Sequence, residues 1–352
     1  MKNQSRSYGN HASILVRLYT FGGLKPVWIG FWSALILVAC FLLFEYALDR
    51  YGLFSLPEQK DGTLRNFRIT IILLLSVCYL PTAYVLVILE SLNTLDKLAS
   101  RLKLSDIQFK DLKSRIGNYS WLTTIIGCVG VNLLFVYLTF ATTPEPNPWA
   151  PEVMRIEVWW HRFLTPVMSI NLFIFLQAII GESKHLSELS SKFGDLDVVD
   201  LEFTRIFGRN ALKNSLLILG LFAISSLFLM EEGFGSIILV GWFTAIVLVV
   251  AAFLGPVLGI REQIVGARKK ELDWCDANIK SSRDLFKKHE IADSNGQTPL
   301  GELIIYRQYV EDLSEWPFDV STILRLLLYL LIPLISWFGG ALVERTVDTL
   351  LG

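Results

Sequence analysis

Runs of about twenty apolar residues recur along this chain, and they decide its class before any other feature is read. Hydrocarbon leaves every backbone amide and carbonyl to find a partner within the protein, so a segment of this kind crosses a bilayer as an α-helix. The runs lie at about 26–48, 67–89, 121–141, 163–181, 214–230, 235–256 and 323–343. The predicted fold is therefore all-α: a multi-pass membrane bundle of about seven spans, with a polar region at 257–322 that reads as a cytosolic helical hairpin. Charge content agrees, since only 18% of residues are Asp, Glu, Lys or Arg, against roughly 25% in soluble domains. Trp28 and Trp32, and again Trp159 and Trp160, stand where an aromatic belt meets the interface. The first run is longer than the core of a cleaved signal and has no small-residue cleavage site closely after it, so it is expected to stay in the membrane.

Lys and Arg set the expected orientation. The N-terminal tail carries four, segment 91–120 six, segment 182–213 five, segment 257–322 nine, and Arg325 adds one, against seven on the opposite side. This alternation supports the count of spans separately from hydropathy. It predicts a cytoplasmic N-terminus in a cell membrane, with compact loops that suit a bacterial inner membrane. The chain then divides into 1–256 (six spans with amphipathic juxtamembrane helices), 257–322 (the hairpin) and 323–352 (the last span and an external tail).

One unit occurs twice. A span ends in Glu90-Ser91, and Leu95-Asp96-Lys97-Leu98-Ala99-Ser100-Arg101-Leu102 comes after it; another ends in Glu182-Ser183, with Leu186-Ser187-Glu188-Leu189-Ser190-Ser191-Lys192-Phe193 after it. Glu90 and Glu182 could form a carboxylate ring at an inner vestibule and draw cations. The plainer reading makes each the first charged residue after a span, and the repetition a sign of duplicated construction rather than of a site.

Polar residues at mid-membrane depth are few: Asn132, Asn171 and Gln177. Such amides need partners in hydrocarbon, so they face other helices or a watery path, and interhelical bonding is the simpler outcome. No Asp, Glu, Lys or Arg falls in the middle of any run, which counts against proton-coupled transport and voltage sensing. Small residues spaced one turn apart (Gly30 and Ala34; Ala251, Gly255 and Gly259; Ser336 and Gly340) suit close helix packing. Gly255, Pro256, Gly259 and Pro333 are hinge candidates, Pro256 as a kink from which span 6 continues into the polar region.

Catalytic chemistry finds no residues to work with. His11, His161, His185 and His289 have no ligand spacing, and neither a phosphate-binding loop nor a nucleophile elbow is present. The four cysteines show no metal-binding pattern. No cofactor, metal or enzymatic activity is expected. A formal net charge of -1 argues against nucleic acid.

Within 257–322, Asp293-Ser294-Asn295-Gly296 reads as a turn, and Thr298-Pro299 starts a helix with Leu303, Tyr306, Val310 and Leu313 on one face. Trp316 and Phe318 lead back to the membrane, and Lys269 and Lys270 are candidate lipid or partner contacts. The expected function is a homo-oligomeric channel or pore-like protein controlled by this hairpin. The alternative is a membrane scaffold or signalling subunit that binds a cytosolic protein through it, with a transporter or intramembrane enzyme behind both.

Overall fold

Leu, Ile, Val and Phe fill long uninterrupted stretches, and the computed structural model folds them as helices. It describes residues 14–20, 23–50, 60–98, 105–142, 156–190, 202–230, 235–288, 299–318 and 320–331. The helices are α1 (Ile14–Thr20), α2 (Pro26–Arg50), α3 (Lys60–Leu98), α4 (Asp106–Arg115), α5 (Trp121–Thr142), α6 (Ile156–Ser190), α7 (Arg205–Ser225), α8 (Gly235–Lys288), α9 (Pro299–Asp312) and α10 (Val320–Leu331). Among the described residues there is no strand.

Five helices are long and apolar enough to cross a membrane: α2, α3, α6, α7 and α8. α5 and α10 contribute shorter apolar stretches, Trp121–Tyr137 and Val320–Leu331. The outer faces of α2 and α5 are apolar and exposed, including Phe31, Leu43, Ile126 and Leu133. Water would not tolerate apolar surface on that scale, whereas lipid covers it without cost.

Four helices make a ring. α3 packs on α6, α6 on α8, α8 on α7 and α7 on α3, with little contact across the diagonals. α2 lies outside against α3, and α5 outside against α6. Small residues set these seams: a Cβ on Gly30 would collide with the Thr82 side chain, and one on Gly127 with the Phe173 ring. A Cβ on Gly259 would stand 2.9 Å from the Ser187 carbonyl oxygen, so α6 and α8 approach as closely as a glycine allows.

α3, α6 and α8 run in the same direction. His161 Nε2 lies 2.9 Å from Thr70 Oγ1 near one end of the α3–α6 seam. Near the other end, Gly117 touches the Ile88 side chain and bonds to Glu182. Gly255 faces Ser183 and Gly259 faces Ser187 and Ser190, which fixes the α6–α8 register. α7 is antiparallel to this trio: Tyr79 of α3 donates to the Leu217 carbonyl at 2.7 Å, while Glu90, further along α3, meets Lys213, earlier in α7.

Two boundaries differ from the sequence pattern. The Glu-Ser units do not end a helix, because α3 runs through Glu90-Ser91 to Leu98 and α6 through Glu182-Ser183 to Ser190. Leu95, Leu98, Leu186 and Leu189 are buried, so as far as Leu98 and Ser190 these amphipathic segments are inner turns of ring helices rather than separate juxtamembrane helices; residues 99–102 and 191–193 lie outside the described residues. Neither Glu nor Ser breaks a helix when its neighbours supply apolar contacts. By contrast, α8 continues through Gly255-Pro256 as one helix of 54 residues, the continuation expected of span 6. Its later half carries α9 alongside. Arg307 Nε donates to Asp276 at 2.7 Å, Tyr306 to Glu271 at 3.0 Å, and Arg268 Nε to the Val310 carbonyl at 3.1 Å. Val310 is buried and Leu303, Tyr306 and Leu313 are half-buried, so the face expected on α9 is the one turned inward.

Candidate functional site

The two copies of Glu-Ser stand at one level, because α3 and α6 are parallel neighbours in near register. Their carboxylates have different surroundings. Glu90 lies towards α7 and pairs with Lys213, Oε1 to Nζ 2.7 Å, with Lys213 nearly half-exposed. Glu182 is 0% exposed. Its Oε1 accepts from the Gly117 amide at 3.0 Å and from the Tyr119 hydroxyl at 2.7 Å.

Local sequence builds that second pocket. Ser105 caps α4 with a reciprocal bond to Gln108, and Lys113 ties α4 to Asp96 of α3 at 2.8 Å. The chain then turns at Gly117, whose φ of 73° suits glycine, and this aims its amide at the carboxylate. Burial, followed by the adjacent Glu182 carboxylate, pushes the Tyr119 hydroxyl well above its usual pKa, so it stays a donor. Glu182 Oε2 has no hydrogen-bond partner in the protein, and His185 Nδ1 lies 3.7 Å from it, within ion-pair reach but beyond a hydrogen bond.

A polar layer continues from there round the ring. Ser91 Oγ, Thr94 Oγ1, Ser183 Oγ and both ends of the Asn210 and Asn214 amides are buried without a protein partner. Four contacts put them within about one helical turn of a common level. Glu90 with Lys213 levels Ser91 with the Asn210–Asn214 turn. Ser215 Oγ donates to the Val249 carbonyl at 3.2 Å, which on antiparallel helices levels Asn210 with Gly255. Gly255 stands against Ser183, and Ser183 is in register with Ser91, which closes the circuit. An unpaired buried polar group costs about 1–3 kcal/mol, and here several share one layer.

The remaining residues singled out from sequence fall elsewhere. Asn132 accepts from Ser169 of α6 at 2.8 Å, and Gln177 accepts from Thr124 of α5 at 3.0 Å, so both are held in the α5–α6 seam. Asn171 donates to its own helix at the Val167 carbonyl, 2.8 Å away. Gly255 and Pro256 lie in the polar layer and Gly259 one turn beyond it; Pro333 lies outside the described residues. Lys269 and Lys270 are exposed on α8. Trp316 and Phe318 pack inward as a wedge. Phe318 meets Phe253 with ring centres 5.1 Å apart, the Arg261 guanidinium sits 4.7 Å above the Trp316 ring, and the Pro317 carbonyl presses on Gly208 of α7.

Sequence reading missed Ser91, Thr94, Tyr119, Asn210 and Asn214 as members of one site. The signal available was Asn210 and Asn214, one turn apart and flanked by Phe207, Ala211 and Ile218 at helical spacing. Beginning span 5 at 214 put Asn210 outside the membrane and hid that pairing. Among the described residues, no group of three His, Cys, Asp or Glu could hold a metal ion. Comparison with protein-family models, with curated proteins and with solved structures gave no match.

Proposed function

We propose that the protein is a homo-oligomeric, channel-like membrane protein of about seven spans, whose α8/α9 hairpin lies in the cytosol and controls it. The observation that carries this reading is the continuity of α8. One helix both borders the polar layer at Gly255-Pro256 and bears α9 on its later half. Arg261 and Arg268 both grip Glu315, at 3.1 and 3.0 Å, so a load on the hairpin reaches α8 and the Trp316-Pro317-Phe318 wedge together. Apolar side chains fill the ring on both sides of the layer (Leu80, Val87 and Phe175; Leu98, Phe207 and Ile260). The ring of a single copy is therefore closed by apolar side chains, and a conducting path would need an axis between copies.

Purified protein in liposomes tests this. Ion flux that changes when Glu315→Ala releases the two arginines supports control by the hairpin. A strictly monomeric state together with no conductance under voltage or osmotic load sinks the channel.

The scaffold reading has one observation of its own: Ile304, Ile305 and Tyr309 are exposed on the side of α9 turned away from α8. A partner that binds the purified wild type and is lost with Ile305→Glu would favour it, provided flux is absent.

A further inference from the structure

The polar layer inside the ring is not explained by packing. Helix geometry shows where its groups point, at about 100° of rotation per residue. On α7, Lys213 and Gly220 mark the side towards α3, and Ser215 marks the side towards α8. Asn210 and Asn214 lie between these two sides, opposite exposed Arg205 and Arg209, and are each 1% exposed. On α3, Tyr79 and Glu90 mark the side towards α7, and Thr70 and Ile88 the side towards α6. Ser91 and Thr94 fall between them. Ser183 closes the layer at the α6–α8 seam. The groups converge on the ring interior from three helices, and Gly255 of the fourth stands against Ser183.

We propose that this layer binds a single dehydrated monovalent cation through the side-chain oxygens of Asn210, Asn214, Ser91, Thr94 and Ser183. All five donors are neutral. Divalent cations are usually gathered by ligating carboxylates, whereas rings of uncharged oxygens replace the hydration shell of a monovalent ion. Both ends of each amide lack protein partners, so each is free to present its oxygen. Pro256 has no N–H to give the Ala252 carbonyl of the preceding turn, which adds an oxygen near the same level. Glu182, one residue before Ser183 and wholly buried, is engaged by Gly117 and Tyr119 and is not a ligand. The nearby Glu90–Lys213 pair is neutral as a unit. Apolar side chains on both sides exclude water, which makes neutral oxygens effective and exchange slow.

Binding is an equilibrium property of the folded chain, so this site can fail while conduction holds, and conduction can fail while it holds. The test is thermal unfolding of the full chain in detergent at fixed ionic strength, with lithium, sodium or potassium chloride replacing N-methyl-D-glucamine chloride after long equilibration. The expected result is a saturable rise in midpoint with one of the small ions. Thr94→Val, which keeps the shape and removes the oxygen, should raise the half-saturating concentration about tenfold, as should Asn214→Ala. Lys213→Ala, outside the layer, should change it less than about twofold. Midpoints that are the same in every cation mean the layer holds water only, and overturn the proposal. So does a saturable shift that survives in the Asn210→Ala/Asn214→Ala double variant. If the asparagine variants do not fold, wild-type affinity in Thr94→Val overturns it alone.

Discussion

Glu90 and Glu182 share a dipeptide, a level in the bundle and a helix direction, yet they do opposite jobs. Glu90 lies where α3 meets α7 near solvent and neutralises a lysine that reaches in from outside. Glu182 lies behind the Gly117 turn, with no solvent exposure, and holds that turn and Tyr119 in place. The contrast arises from the path of the chain beyond α3. There the capped helix α4 folds back and delivers Gly117 and Tyr119 to the second copy, while the first copy is left to α7. A sequence repeat thus marks equivalent positions in the fold without marking equivalent functions.

Glu182→Ala breaks this comparison most sharply. It strands the Gly117 amide and the Tyr119 hydroxyl in a buried pocket and should cost about 3 kcal/mol, read as loss of unfolding midpoint in detergent. A loss as small as that of Glu90→Ala would mean the two copies are equivalent after all. Tyr119→Phe removes one of the two bonds and should cost about 1–1.5 kcal/mol in the same assay. Lys213→Ala should cost at most about 1 kcal/mol, because Lys213 is nearly half-exposed and water screens the pair. The smallest effect is in salt. A double-mutant cycle of Glu90→Ala with Lys213→Ala should give a coupling of about 0.2–1 kcal/mol that shrinks towards zero at about 1 M salt. The cost of Glu182→Ala should barely move with salt.

Much of the bundle was readable from the chain because hydrocarbon imposes a simple rule: long apolar runs must be helical. The runs at 26–48, 67–89, 163–181, 214–230 and 235–256 each overlap one of the five helices long and apolar enough to cross a membrane. The inward face of α9 was readable for a related reason, since Leu303, Tyr306, Val310 and Leu313 recur at helical spacing. The site was not readable. Its members come from α3, α6 and α7, far apart in sequence, and what unites them is a level set by Gly255, Lys213 and Ser215 contacts. Hydropathy also set the ends of spans 2 and 4 at their first carboxylate, although burial of Leu95, Leu98, Leu186 and Leu189 carries both helices onward. A charged residue ends an apolar run, but it does not end a helix.

The 54 residues of α8 span about 81 Å at 1.5 Å per residue, well over twice the hydrocarbon thickness of about 30 Å. From the level of Gly255, the part that carries α9 extends about 50 Å further. A rod of that length is a lever arm with its fulcrum at the α6 seam. A tilt of about 5° there displaces the far end by about 4 Å, from the same helical rise. Gly255 rests on the Ser183 side chain and Gly259 comes almost onto the backbone of α6, so the rod is held where it crosses that seam.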